Sequence, residues 1–99
     1  MEPHSFQFVL TLPGDNRLVG AVRDLTAHAA TYAKLSSDVS QSFARKVADE
    51  MQSAIAATGI QDAPIEFRFN ATADALLVTL SWSRNGSRET REIRQHLTS

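Results

Sequence analysis

The spacing of hydrophobic residues constrains the fold of this 99-residue chain more than any other feature. Three segments alternate hydrophobic and polar residues, which places successive side chains on opposite faces of a strand. Between the first and second of these segments the spacing changes to three and four residues, which is typical of one face of a helix. The alternating positions are Phe6/Phe8/Leu10/Leu12, Ile65/Phe67/Phe69 and Leu76/Val78/Leu80/Trp82.

Two amphipathic helices are therefore expected between the first and second strands. Asp15 stands where an N-cap residue accepts hydrogen bonds from the first amides of a helix, and Asp38 with Gln41 has the spacing of a capping box. Gly59 stands where a helix commonly ends in left-handed backbone conformation. The helical faces are Leu18/Val22/Leu25/Ala29/Tyr32 and Val39/Phe43/Val47/Met51/Ala54.

The C-terminal segment, residues 87–97, fits two structures. Ile93 and Leu97 are four residues apart, which favours a short helix. The Asn-Gly pair at 85–86 follows a strand directly and is a strong hairpin signal, so a polar edge strand is the alternative. The short helix is the preferred prediction.

The order of these elements predicts an α+β fold. Two helices covering one face of a small, mostly antiparallel sheet make a two-layer sandwich, in the order β-α-α-β-β followed by the C-terminal segment. No repeat, linker or low-complexity run divides the chain. We expect residues 1–99 to form a single domain.

Charge and composition exclude several classes of function. Ten basic residues against eleven acidic ones give a formal net charge of −1, so a nucleic-acid partner held mainly by charge is not expected. The chain has no cysteine, which excludes disulfides and thiolate metal sites. It has neither a signal-peptide pattern nor an apolar run near the roughly 20 residues that a membrane span needs. A cytoplasmic protein without a membrane partner is expected.

Few residues suggest chemistry. The histidines do not have helical metal-ligand spacing, and no phosphate-binding glycine loop or nucleophile elbow occurs, so we expect no metal and no cofactor. Glu50 falls within the apolar stripe of the second helix, where a carboxylate either pairs with an arginine such as Arg68, extends to the edge, or lines a site. Trp82 is expected in the core, with an interface anchor as the alternative.

The segment from Phe8 to Glu50 resembles the N-terminal half of the histidine-kinase-like (GHKL) ATPase domains of bacterial anti-sigma-factor serine kinases. These domains begin with a strand that ends in Leu-Pro, here Leu12-Pro13, and continue into a helix that carries an arginine, here Arg23. A long helix then ends in a Glu-x-x-x-Asn box. The alternating segments 65–70 and 76–82 fall where that fold has its sheet.

The resemblance is to a degenerate and truncated member of that family. In the family the box glutamate acts as a base and the asparagine holds magnesium; Glu50 matches the first, but Ala54 stands in the second position and has no ligand atom. No D-x-G-x-G motif follows the third strand, where residues 81–86 read SWSRNG. The glycine-rich lid would lie beyond Ser99. The resemblance therefore implies the sandwich without the ATP site.

Three functions follow as expectations. The first is a non-catalytic regulatory or protein-interaction domain, whose partner by resemblance is a sigma factor, its antagonist, or a second copy forming a homodimer. Its candidate partner surface comprises Arg23, Glu50 and Trp82. The second is an enzyme, either a minimal ATP-binding serine kinase or a small hydrolase, with Glu50 as base. The third is a structural domain that self-associates through a Phe/Trp sheet edge.

Overall fold

The computed structural model describes residues 6–59, 62–84 and 86–96, so Asn85 and Leu97 lie outside the described residues. The fold is α+β, as predicted, and the predicted order β-α-α-β-β is confirmed as far as the third strand. The elements are β1 (Phe6–Pro13), a 3-10 turn (Asn16–Leu18), α1 (Val19–Tyr32), α2 (Ser37–Thr58), β2 (Pro64–Ala71), β3 (Ala75–Arg84) and β4 (Ser87–His96).

The four strands form one antiparallel sheet in the order β1-β2-β3-β4. Leu12 lies opposite Ile65 in the β1–β2 ladder, and Phe67 lies opposite Leu80 in the β2–β3 ladder. Because opposed residues share a face, these side chains lie together on the side that the helices cover. The β2, β3 and β4 strands follow one another through short turns, whereas both helices intervene between β1 and β2.

The core lies between the helices and one face of the sheet. Most of the hydrophobic residues that the alternating and helical patterns place inward are buried or half-buried there. Tyr32 is an exception: the stripe of the first helix places it inward, but it stands at the last residue of α1 and is 61% exposed. Phe8 stacks on Phe69, with ring centroids 4.7 Å apart and planes 10° from parallel. The largest fully buried side chains include Phe43, Phe67, Phe69, Met51, Ile65, Leu76 and Leu80.

The helix boundaries differ in part from the capping prediction. Asp15 caps the 3-10 turn that leads into α1, and its Oδ1 accepts a hydrogen bond from the Arg17 backbone N–H at 2.9 Å. Helix α2 is capped by Ser36, whose Oγ accepts from the Val39 N–H at 3.3 Å, so the predicted Asp38 capping box is wrong. Ser36, Ser37 and Asp38 all have side chains that can cap a helix. Ser36 is the N-cap because its backbone is extended (ψ 162°), whereas the helix already includes Ser37 and Asp38.

The C-terminal segment is the strand β4, so the preferred short helix is wrong and the alternative edge strand is confirmed. Ten residues of β4 pair with β3, from Ala75 opposite His96 to Arg84 opposite Ser87. The ladder with β3 satisfies the backbone N–H and C=O groups on the inner side of β4, whereas Ile93 alone gives a helix little apolar surface to bury. Eight of the ten β4 residues are exposed, because α2 lies mainly over β3.

Candidate functional site

Glu50 lies at the flank of α2, beside fully buried turns of the same helix. Val47 and Met51 are fully buried, whereas the Glu50 side chain is half-buried. Glu50 therefore lies at the edge of the apolar stripe rather than in its middle. Together with β4, this flank of α2 forms an open groove of about 370 Å³. The groove is lined by Lys46, Asp49, Glu50, Glu92, Ile93 and Arg94.

The groove is charged rather than apolar. Three carboxylates and two cationic side chains line it, and the ion pair between Glu92 and Arg94 is long, at 3.9 Å. Within the described ranges, the Glu50 carboxylate makes no ion pair or hydrogen bond. The suggested pairing of Glu50 with Arg68 is wrong, because Arg68 lies 3.8 Å from Glu66 on the sheet face that the helices do not cover. An accessible carboxylate of this kind can accept hydrogen bonds from a partner.

Ala54 lies one helical turn beyond Glu50 but in a different environment. Its exposed fraction is 0%, and it belongs to the hydrophobic cluster that includes Met51 and Ile65. A residue at this position faces other core side chains, and a polar group there would have to be hydrogen-bonded within the core. Position 54 therefore does not line the groove where Glu50 lies.

Trp82 is a core residue, with 4% of its surface exposed. It stands on β3, between β2 and β4, so it does not lie at a sheet edge as the self-association hypothesis required. Its indole N–H has no hydrogen-bond partner in the part of the chain that the structure describes. An unpaired buried donor is destabilising, and its burial leaves Trp82 without a surface to offer a partner.

The three candidate partner residues do not form one site. Arg23 is exposed on α1, and neither Arg23 nor Trp82 lines the groove beside Glu50. The structure thus brings Glu50 together with β4, which the predicted C-terminal helix could not have indicated.

A second cavity, of about 420 Å³, lies where β1 ends and α2 ends. Asp15 and Arg17 line it and are joined by a salt bridge of 2.7 Å between Oδ2 and Nη2. The side-chain hydrogen bonds from Arg17 hold the pKa of Asp15 below its usual range. The sequence analysis did not predict this cavity. The signal in the sequence was Gly14 directly after the strand, because a glycine allows two backbones to approach closely. In the structure, the Gly14 N–H donates a hydrogen bond to the Ala63 carbonyl oxygen at 2.8 Å, and a Cβ at position 14 would lie 2.9 Å from that oxygen.

The region after β3 contains a hairpin. Strand β3 ends at Arg84 and β4 begins at Ser87, and within this antiparallel pair Ser83 lies opposite Arg88. Arg88 extends over the uncovered face of the sheet and donates to Glu66 at 3.2 Å. The segment that follows β3 is therefore a strand paired with β3 along its whole length.

A metal-binding cluster and a membrane-spanning helix each make a simple requirement of the described residues. No cluster of three or more His, Asp or Glu side chains is arranged to hold a metal ion in residues 6–59, 62–84 and 86–96. Neither α1 nor α2 is long and apolar enough to cross a membrane.

No protein-family model matches this chain, and no curated protein sequence matches it.

Proposed function

We propose that this chain is a non-catalytic regulatory domain that binds another protein, built on a degenerate histidine-kinase-like ATPase fold. The order of β1, α1, α2, β2 and β3 supports the proposed kinship, since the resemblance implies the same order. Glu50 and Ala54 occupy successive turns of the long helix α2, where that family has its box.

The observation that carries the proposal is the complete burial of Ala54. In the resembled family this position supplies a magnesium ligand next to the catalytic glutamate. Here it contributes a methyl group to the core, one turn from a half-buried glutamate. The β3–β4 hairpin supports the same conclusion, because it fills the position of the adenine-binding motif.

The partner is inferred from the resemblance and from charge. Domains of that family hold a sigma factor or its antagonist, and Arg23 and Glu50 are the candidate residues that remain accessible for such a contact. They lie on different helices and carry opposite charges. A regulatory protein with both acidic and basic contact residues fits this arrangement.

Nucleotide binding tests the non-catalytic part of the proposal. Thermal unfolding is measured with and without Mg-ATP, and we expect no magnesium-dependent shift. A ligand present at a hundred times its Kd stabilises a protein by about 2.7 kcal/mol, so a functional ATP site is readily detected. A clear magnesium-dependent rise in Tm would contradict the proposal.

Binding to purified sigma factors and antagonists from the source organism tests the partner. We expect Arg23→Glu and Glu50→Lys to weaken the complex, whereas Arg45→Glu, a matched change at an exposed position of α2, leaves it unaffected. Equal binding by all three variants would exclude these two residues from the interface.

The enzymatic alternative rests on the position of Glu50 in the groove, near Lys46. A half-buried carboxylate beside a cation can act as a general base. If the chain is a serine kinase or hydrolase of this kind, Glu50→Gln abolishes turnover and preserves the fold. Unchanged turnover in that variant would remove Glu50 as the base.

A further inference from the structure

Strand β4 is an edge of the sheet, and no strand among residues 6–59, 62–84 and 86–96 pairs with its outer side. An edge strand presents a row of free N–H and C=O groups that can pair with another strand. Charged side chains usually protect such an edge from association, because like charges repel when two copies meet. The effect of the β4 charges therefore depends on their order along the strand.

The charges of β4 are antisymmetric about Thr90. Residues 88–92 read Arg-Glu-Thr-Arg-Glu, so each charge is matched by the opposite charge at the same distance on the other side of Thr90. When two copies pair antiparallel with Thr90 opposite Thr90, Glu89 meets Arg91 and Arg88 meets Glu92. The two-fold axis repeats each contact, which gives four pairs of opposite charge and none of like charge.

Neighbouring registers are less favourable. In an antiparallel pair, residues that lie opposite each other point to the same face of the sheet. A symmetric pair of β4 strands therefore has one residue opposite its own copy, and this central residue defines the register. Registers centred on Glu89, Arg91 or Glu92 place each of these residues against its own copy, which is repulsive. A register centred on Ile93 avoids repulsion but forms only two opposite-charge pairs, between Glu92 and Arg94.

Neither face of β4 carries a covering element that would prevent a second strand from pairing with its free edge. The helices leave the inward side of β4 open, because Ser87, Glu89 and Arg91 are all exposed. Within the described ranges Glu89 and Arg91 make no ion pair, so both are available to a second copy. On the other face, Arg88 contacts Glu66 at 3.2 Å, and its guanidinium retains further donors.

The opposite edge of the sheet lacks these features. Strand β1 carries no charged residue, so charge does not define a register there, and its last residue, Pro13, has no N–H to donate. Its inward side chains are half-buried against the helices. The charges therefore define a register for pairing at the β4 edge and none at the β1 edge.

We propose that two copies of this chain form a homodimer through antiparallel pairing of β4 with β4, centred on Thr90, to give a continuous eight-stranded sheet. The inference deepens the proposed interaction function by naming one of its partners. The two are tested separately, since a monomeric chain could still bind a sigma factor and a dimer could form without one.

Cysteine cross-linking tests the register, and the absence of native cysteine makes it specific. Directly opposed residues of an antiparallel pair have Cα atoms about 4.5–5.5 Å apart, within the range of a disulfide. We expect oxidised Thr90→Cys to give a covalent dimer at concentrations where Gln7→Cys, on β1, remains monomeric. Preferential cross-linking of Ile93→Cys or Gln7→Cys would overturn the proposed register or edge.

Charge exchange tests the contacts themselves, with association measured by analytical ultracentrifugation at low salt. Glu89→Arg places arginine against Arg91 twice, so we expect the dimer Kd to rise about tenfold or more. The double variant Glu89→Arg/Arg91→Glu restores opposite charges and should recover association. Asp24→Arg makes the same charge change on α1 and serves as the control.

Circular dichroism verifies that each variant is folded before its mass is measured. A wild-type chain that stays monomeric at millimolar concentration would overturn the proposal, as would a double variant no better than Glu89→Arg. Association that weakens with added salt agrees with it, since exposed ion pairs are screened.

Discussion

The substitution Ala54→Asn introduces the residue that the resembled ATPases carry in their Glu-x-x-x-Asn box, and its effect on stability distinguishes a core position from a site position. The Ala54 side chain has no exposed surface. An asparagine there buries an amide without partners, which costs about 1–3 kcal/mol, and adds volume to a packed core, which costs about 1–3 kcal/mol. We expect the free energy of unfolding to fall by about 2–6 kcal/mol.

The control is Ala56→Asn, at an exposed position two residues further along α2. It has the same helix-propensity cost of about 0.6 kcal/mol but buries nothing. Urea unfolding followed through Trp82 fluorescence measures both variants. Ala54→Ser provides an intermediate case if the asparagine variant does not fold, because its hydroxyl can bond to the carbonyl oxygen of Glu50 one turn earlier.

The reasoning is refuted if Ala54→Asn and Ala56→Asn are equally stable within about 0.5 kcal/mol, the usual range for surface substitutions. Position 54 would then have room and hydrogen-bond partners for an amide, as a nucleotide site provides. Magnesium-dependent stabilisation of Ala54→Asn by ATP would lead to the same conclusion. Neither result is expected from a residue enclosed by the core.

Three further measurements test the structure. Gly14→Ala should lower the free energy of unfolding by about 1–3 kcal/mol, because the added Cβ would lie 2.9 Å from the Ala63 carbonyl oxygen. Gly20→Ala should raise it by about 0.5–1 kcal/mol, because a Cβ at this helical position meets nothing within 4 Å. Urea unfolding measures both variants. Asp15→Asn should lower Tm at pH 7, and its difference from wild type should disappear as pH falls below about 4, because the folded-state pKa of Asp15 is lowered by Arg17 and its stabilisation is lost when the carboxylate is protonated. The fluorescence of Trp82 should be blue-shifted and resistant to acrylamide, and strong quenching in the folded state would contradict its burial.

The fold could be predicted where the hydrophobic pattern was long. Strands such as Ile65–Phe69 and both helices each carry several apolar residues at the period of their structure, and burial follows directly from that. Strand β4 could not be predicted in the same way, because Ile93 is its single large apolar residue within the described range. Its conformation is decided by pairing with β3, and such pairing is a tertiary effect.

The candidate site was predictable only in part. The angular position of Glu50 on α2 predicted that it lies beside the apolar residues of that helix. Its neighbours Glu92 and Arg94 could not be predicted in this way, because they come from β4, whose place depends on the hairpin. Trp82 stood at the end of an alternating segment, and the sequence did not show that a fourth strand would enclose it. Position along one element is a local property, whereas the contents of a groove depend on two elements.

The long connection between β1 and β2 has a consequence for the order of folding. Two or three residues join the later strands, but fifty residues lie between Pro13 and its opposite residue Pro64. Closing a loop costs about 0.6 kcal/mol more for each doubling of its length, so β1 should join the sheet after the β2–β4 meander and the helix pair have formed. Until then the β2 edge, with Phe67 and Phe69, stays unpaired, and this interval is when the chain is most prone to aggregate.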